Sequence, residues 1–195
     1  MVRCANQGGM SLIEVLVSLA VFSLAALGIA GMLIDNSRIN KGEQLRAEAQ
    51  ANARNTVSLI THRIRAAGWD PQASGFQAVV VDDDLSDALS FVELYSDLDG
   101  DGTLDGIGES IRIRHQAGTV SWRLTSLGSF VPLAIGMSND ADGNGTSEPM
   151  FVADTAVPPT WIRIRATAES PQPDPRSGKI YRYTVETEVA LRGNL

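Results

Sequence analysis

The first third of the chain shows two hydrophobic patterns in succession. From Leu12 to Ile34 the sequence is apolar nearly throughout, with Glu14 as its one charged residue. As a helix this segment spans roughly 35 Å at about 1.5 Å per residue, enough to cross a hydrocarbon core of about 30 Å. Beyond it, apolar residues recur in steps of three or four and form one stripe of a helix: Leu45, Ala49, Ala53, Val57, Ile60, Ile64 and Ala67. Gly68 and Pro71 then supply a stop, so the pattern predicts one helix from about Ser11 to Ala67, apolar on all sides in its first half and amphipathic in its second.

Beyond Gly68 the periodicity becomes two-fold, which predicts strands. The segment SIRIRHQAGTVSWRL has the alternation of a hairpin with a turn at Gly118, and TWIRIRAT and KIYRYTVETEVALR alternate in the same way. FQAVVV and DALSFVELY predict two further strands. An antiparallel sheet with one apolar face packs well on the amphipathic half of a helix, so the predicted fold class is α+β.

Charge alternation predicts a contact between two of these strands. In the final strand, Arg182, Glu186 and Glu188 share one face. The opposite face is apolar: Tyr181, Tyr183, Val185, Val189 and Leu191. If the strand that carries Arg163 and Arg165 is the neighbour, these arginines face the two glutamates across the sheet. The alternative is a solvated face without specific pairs.

Composition restricts the function classes and the sources of stability. The 195 residues carry a net charge of −7, so nothing in the chain as a whole predicts binding to nucleic acid or to an anionic surface. Cys4 is the only cysteine, which excludes an intramolecular disulfide. An exported domain would then depend on its core or on bound ions for stability. The short head carries Arg3, which places it on the cytoplasmic side of a membrane.

Two ordinary interpretations of the apolar run are unsatisfactory. A secretory signal peptide has an apolar region of about 7 to 15 residues, which is shorter than this one. A plain membrane anchor leaves Glu14 unexplained, because a carboxylate in lipid costs on the order of a few kcal/mol. Such a residue indicates a function and a partner.

The stretch GGMSLIEVLVSLAVFSL resembles the signature of type IV prepilins, in which a short basic leader ending in glycine precedes a hydrophobic residue and a Ser/Thr-Leu-Ile-Glu tetrad. The resemblance implies that prepilin peptidase cuts between Gly9 and Met10. Met10, where phenylalanine is more usual, then becomes an N-methylated N-terminus. The resemblance also implies that Glu14 pairs with the N-terminal amine of a neighbouring subunit during assembly. The implied partners are other pilins or pseudopilins, the peptidase and the inner-membrane assembly platform.

The same resemblance implies a division of the chain. Residues 1–9 are the leader, 10–34 the transmembrane and filament-core helix, 35–67 the amphipathic helix and 68–195 a periplasmic β-rich domain. The protein is expected in the inner membrane and then in a pilus or pseudopilus at the cell surface.

Two further stretches resemble one subgroup of these proteins, the PilW-like minor pilins. They are RIRAAGWDPQASGF, at the predicted helix end, and the closing VALRGNL, in which Gly193 interrupts the subgroup's motif. This resemblance implies a minor pilin that primes or caps a type IV pilus. The J-type pseudopilin of type II secretion shares the architecture and is the alternative.

An acidic loop, SDLDGDGTLDGIGE, has the spacing of a calcium site. Asp97, Asp99, Asp101, Thr103 and Asp105 occupy positions one, three, five, seven and nine of an EF-hand-type loop, with Gly102 at six. Carboxylates at alternate positions of a tight turn converge on one point, and calcium prefers such hard oxygen ligands. Position twelve is Gly108, but Glu109 follows directly and could reach the ion.

A second stretch, DADGNGTSE, repeats this spacing with less charge, through Asp140, Asp142, Asn144, Thr146 and Glu148. For both loops the alternative is a solvated, turn-prone segment. A third acidic stretch, VDDDLSD, lacks the glycine bend and is expected to be solvated. If calcium is bound, a calcium-dependent adhesin at a filament tip becomes a third possible function.

The sequence contains no recognisable active-site motif, so an enzyme is not expected. The two histidines, His62 and His115, have no metal-type spacing, and neither His-Glu-x-x-His nor Gly-x-Ser-x-Gly occurs. Trp69, Trp122 and Trp161 are expected to pack in the core or at its edge.

Overall fold

A computed structural model describes residues 11–82, 90–156 and 158–191. Its dominant element is one helix, α1 (Leu12–Ala66), which confirms the predicted helix to within a residue at each end. Ser11 is the N-cap: its backbone is extended, and its Oγ accepts a hydrogen bond of 3.3 Å from the Glu14 N–H. Ala67 caps the C-terminus in an extended conformation, and the predicted stop at Gly68 follows directly.

Within the described ranges, nine strands follow the helix and form two antiparallel sheets. The first sheet is a meander in chain order: β1 (Val79–Asp82), β2 (Ser90–Tyr95), β3 (Ser110–Gln116), β4 (Thr119–Arg123) and β5 (Val131–Ile135). The second contains β6 (Met137–Ser138), β7 (Phe151–Ala153), β8 (Trp161–Glu169) and β9 (Arg182–Ala190). In it, β9 pairs along the whole of β8, while β6 and β7 pair with separate parts of β8. The α+β class is confirmed, with the strands divided between two sheets.

The five predicted strand segments correspond to β1, β2, the β3–β4 hairpin, β8 and β9, of which β1 and β8 extend one and two residues beyond the prediction. The hairpin turns through Ala117 and Gly118, which both have positive φ, as a two-residue turn with right-handed strand twist requires. The short strands β6 and β7 were not predicted. Nor was β5, which contains Pro132 and lies at a sheet edge, where proline is tolerated.

The second half of α1 packs on β8 and β9 through the predicted stripe. All seven stripe residues from Leu45 to Ala67 are buried, and Gly42 and Thr56 are buried with them. The second sheet meets the first through contacts of β7 with β1 and β2, and Phe151, Ile162, Ile164 and Ile113 are fully buried between these elements. Burying each such side chain stabilises the fold by about 1.5 to 3 kcal/mol.

The predicted charge pairs between β8 and β9 are present. Arg163 is opposite Glu188, and Arg165 is opposite Glu186. Arg163 lies 3.4 Å from Glu186 and 3.5 Å from Glu188, and Arg165 Nε lies 3.0 Å from Glu186. These side chains are 34 to 53% exposed, so each pair contributes about 0 to 1 kcal/mol.

The aromatic and histidine side chains have mixed environments. Trp122 is half-buried against the core and lies under Arg63, whereas Trp69 is 60% exposed at the helix exit, contrary to the expected packing. His62 is exposed on α1. His115 is buried with its Nε2 3.2 Å from the Met137 carbonyl, and desolvation lowers its pKa.

Candidate functional site

The apolar half of α1 makes no packing contact with the part of the globular domain that the structure describes. Every residue from 12 to 34 is exposed, and α1 is long and apolar enough to cross a membrane. Its two serines are satisfied within the helix, because Ser18 Oγ donates to the Glu14 carbonyl and Ser23 Oγ donates to the Leu19 carbonyl, each at 2.7 Å. A spanning helix needs such internal partners, since lipid offers none.

Glu14 stands in the first turn of α1, where the helix dipole favours a negative charge. Its backbone is held by Ser11, but within the part of the chain that the structure describes its carboxylate has no ion-pair partner. Gly9 and Met10, the predicted processing residues, lie outside the described residues. The exposed carboxylate on an apolar rod therefore requires a partner from elsewhere if it enters lipid.

The first acidic loop is built around two buried carboxylates. Asp97 and Glu109 are 0% and 1% exposed. Asp97 Oδ1 accepts from the Gly100 N–H at 2.7 Å, and its Oδ2 accepts from the Gly102 N–H at 3.0 Å. Glu109 Oε1 accepts from the Leu98 N–H at 2.9 Å, so that its side chain folds back under the loop. The structure thus places Glu109 beside the first position of the loop, although it is one residue late in sequence.

Three carboxylates of this loop converge. Ligand oxygens of Asp97, Asp99 and Glu109 all lie within 4.8 Å of one another. The hydrogen bond from the Asp101 N–H lowers the pKa of Asp99, but desolvation and the charges of neighbouring carboxylates outweigh it and raise that pKa above its ordinary value. Among residues 11–82, 90–156 and 158–191, no lysine or arginine forms an ion pair with the three. Such a group of hard, mutually repelling oxygens suits a divalent cation.

The remaining predicted ligands of this loop are linked to one another through Thr103, and the Asp101 N–H connects them to Asp99. Thr103 Oγ1 donates to Asp101 Oδ1 at 2.7 Å and contacts Asp105 Oδ1 at 3.1 Å. Thr103 also lowers the pKa of Asp101 through its hydroxyl and its backbone N–H. The structure therefore brings together three of the six predicted residues and links the other three to each other.

The first loop rests on the turn that leaves α1. The Asp97 N–H donates to the Trp69 carbonyl at 2.8 Å, and the Gly68 N–H donates to the Tyr95 carbonyl at 2.9 Å. The side chain of Gln72 donates to the Gly100 carbonyl. The turn and the loop are separated in sequence, so their contact was not predicted from local spacing.

The second acidic loop has the same backbone arrangement but different counter-charges. Asp140 accepts from the Gly143 and Gly145 N–H groups, as Asp97 does from Gly100 and Gly102. Here, however, Arg182 lies 3.8 Å from Asp140, and Arg165 lies 2.8 Å from Glu148. Desolvation raises the pKa of Asp140, but backbone donors and Arg182 outweigh it and lower that pKa.

The other three predicted ligands of the second loop are linked by hydrogen bonds: the Thr146 N–H donates to Asn144, and the Asn144 side chain donates to Asp142. Asp140 and Glu148, at the two ends of this loop, thus already have arginine partners. The third acidic stretch and the closing VALRGNL motif fall largely on residues 83–89 and 192–195, outside the described residues.

The long helix and the β-domain on its second half have a pilin-like α+β layout, and the apolar first half of the helix fits a membrane-anchored component. A family model described as the prokaryotic N-terminal methylation motif matches residues 4–30. The chain thus carries the type IV prepilin-like signal, which supports a structural protein of the type IV pilin or pseudopilin class. Comparison with curated proteins and with solved structures gave no match.

Proposed function

We propose that this protein is a minor pilin that is processed by prepilin peptidase, assembles through α1 and primes or caps a type IV pilus. The observation that carries the proposal is the contrast along one helix. The stretch from Leu12 to Ile34 has no partner within the described chain and bears Glu14 at its start, while the described domain packs on the helix only beyond Ile34. A subunit built in this way needs lipid or other subunits to cover its first half.

Processing is tested by mass spectrometry of the protein purified from its native membrane. The proposal predicts a mature chain that begins at N-methylated Met10. A Gly9→Ala variant should retain the leader, because a side chain is added at the cleavage position. An intact leader in the parent chain would contradict the proposal.

The role in the pilus is tested by deleting the gene and counting surface filaments. A priming or capping subunit predicts fewer pili and loss of twitching, restored by the parent chain. The J-type pseudopilin alternative shares the helix-and-sheet architecture and predicts instead a loss of enzyme secretion with normal pili. The same strain therefore distinguishes the two assignments.

We further propose that the first acidic loop binds calcium through Asp97, Asp99 and Glu109. The convergence of their oxygens, the raised pKa of Asp99 and the lack of a described counter-cation support this. In the second loop, Asp140 and Glu148 already have arginine partners, which favours weaker binding there. An ion that binds only the folded state at 100 times its Kd would stabilise it by about 2.7 kcal/mol.

Thermal denaturation with calcium and with chelator tests this proposal. Calcium should raise the midpoint of the parent chain and of Asp142→Asn, the matched variant in the second loop. Asp99→Asn should lose most of the increase, because it removes one converging ligand. An equal midpoint with and without calcium in the parent chain would contradict the site. A calcium-dependent tip adhesin would in addition require the ion for binding to a surface or glycan.

A further inference from the structure

The connection between β8 and β9, Ser170–Tyr181, extends along α1 towards the apolar span. Arg176, near its tip, lines a small cavity together with Asp35, Arg38 and Ile39 of α1. Asp35 directly follows the apolar stretch that ends at Ile34. The connection therefore reaches the first helical turn beyond the segment that is proposed to cross the membrane.

The connection is held in one shape by a buried carboxylate. Asp174 accepts hydrogen bonds from the Ser177 hydroxyl at 2.6 Å and the Ser177 N–H at 3.0 Å, and its carbonyl accepts from the Gly178 N–H at 2.8 Å. The Ser177 hydroxyl is the largest cause that lowers the pKa of Asp174 to about 2. Three prolines, at positions 171, 173 and 175, restrict the backbone further.

The connection docks on α1 at a glycine. A Cβ on Gly42 would lie 2.9 Å from Asp174 Oδ1, so only glycine allows this approach without displacement. Next to this contact, the Arg46 guanidinium lies 4.4 Å from the centre of the Tyr181 ring. The helix and the connection thus form one continuous surface at the base of the domain, which we call the basal surface.

The basal surface is basic although the whole chain has a net charge of −7. Its five basic residues are all exposed: Arg38, Lys41, Arg46, Arg176 and Lys179. Its acidic residues are Asp35 and Glu43, paired at 3.9 and 3.6 Å with Arg38 and Arg46, the buried Asp174, and the exposed Glu48, which lines a cavity with Ile180. Five basic residues thus stand against four acidic ones. In the described parts of the chain, Lys41, Arg176 and Lys179 form no ion pair.

Two apolar residues of the basal surface are also exposed: Ile39 is 46% exposed and Ile180 is 42% exposed. Basic residues interspersed with apolar ones are the composition of surfaces that bind the headgroup region of an anionic bilayer. With a rise of about 1.5 Å per residue, Ile39 and Arg46 lie about 8 to 18 Å along the axis from Ile34. The apolar span would therefore hold this surface close to the headgroups.

We propose that the basal surface binds the anionic phospholipid headgroups of the leaflet from which α1 emerges, and so sets the orientation of the domain before assembly. The inference rests on the proposed membrane insertion of Leu12–Ile34. The rigid connection adds Arg176 and Lys179 to the basic residues that α1 itself carries. The close approach of Asp174 at Gly42 holds the connection against the helix.

The test uses the full chain in nanodiscs of phosphatidylcholine, with or without phosphatidylglycerol, and a photoreactive phosphatidylglycerol probe. Cross-linked peptides are mapped by mass spectrometry. The proposal predicts lipid cross-links on residues 171–181 that decrease several-fold in Arg176→Glu/Lys179→Glu and at high salt. Arg65→Glu, which reverses one charge at an exposed position near the other end of α1, should leave them unchanged.

The inference would be overturned if cross-linking were equal in nanodiscs with and without phosphatidylglycerol, given the same trace of probe in both. It would also be overturned if the double substitution had no effect. A third contradicting result would be cross-links from the connection to a second protein chain instead of to lipid. Amide hydrogen exchange of Leu12–Ile34 in the same samples distinguishes a failure of membrane insertion from a failure of headgroup binding. Fast exchange there would contradict membrane insertion itself. Protection there without lipid contact at residues 171–181 would contradict only the inference. Equal thermal midpoints of parent and variants show that folding is intact.

Discussion

The two halves of α1 belong to one unbroken helix but have opposite surroundings. From Leu12 to Ile34 every residue is exposed, whereas from Gly42 to Ala67 one stripe is buried against β8 and β9. The second half packs on the domain, so substitutions there are expected to change the stability of the fold. The first half has nothing to pack on in the described chain, so its residues can act only through lipid or other subunits. Substitutions matched between the halves should separate these two roles.

The largest effect on stability is expected at the centre of the buried stripe. Ile60 is 0% exposed, and truncation of a buried isoleucine to alanine typically costs about 2 to 5 kcal/mol. Ile60→Ala should therefore lower the thermal midpoint of the domain in detergent. Leu24→Ala, in the exposed half, is the control and should leave that midpoint unchanged. Equal losses in the two variants would contradict the division of the helix.

A smaller effect is expected where α1 approaches the β8–β9 connection. Gly42→Ala places a Cβ 2.9 Å from Asp174 Oδ1, and overpacking of this kind costs about 1 to 3 kcal/mol, partly offset by about 1 kcal/mol of helix propensity. Amide exchange in residues 171–181 should accelerate. Gly31→Ala has open space around its Cβ and should not change that exchange. If both variants leave it unchanged, the connection is not held at Gly42.

The smallest effect is a pH dependence of the β8–β9 connection, which docks on the second half of α1. The pKa of Asp174 is about 2 in the folded chain against an ordinary value of 3.8, so its carboxylate stabilises the docked connection above pH 3.8. This contribution should disappear as the pH falls from 3.8 to about 2. The protection factors of the amides in residues 171–181, taken relative to intrinsic exchange at each pH, should fall over that interval in the parent chain. In Asp174→Asn they should be low throughout, and a pH profile like that of the parent chain in this variant would exclude Asp174 as the cause.

Much of this fold could be predicted because its signals are local. The 3.6-residue stripe from Leu45 to Ala67 defined the buried helix face, and two-fold alternation identified β8 and β9. Their charge pattern even predicted that Arg163 and Arg165 face Glu186 and Glu188. The helix end could be predicted as well, since Gly68 and Pro71 are strong local stops.

What could not be predicted depends on contacts between distant segments. The strands β6 and β7 have two and three residues, too few for a periodicity, and Pro132 obscured β5. The first loop's spacing did not show that Glu109 would turn in beside Asp97, and nothing local indicated that Arg182 would neutralise Asp140. The basal surface gains Arg176 and Lys179 only when residues 171–181 fold against α1, and the net charge of the chain gave no sign of this.

The central claim is that Glu14 is tolerated in the apolar half of α1 because it binds an amine supplied by another subunit. Incorporation of Glu14→Gln into filaments, measured against the parent chain at equal expression, tests it most directly. Glu43→Gln, an exposed carboxylate of the same helix beyond the span, is the matched control. The account predicts a large loss of incorporation for Glu14→Gln and none for Glu43→Gln. Incorporation of Glu14→Gln as efficient as that of the parent chain would contradict it.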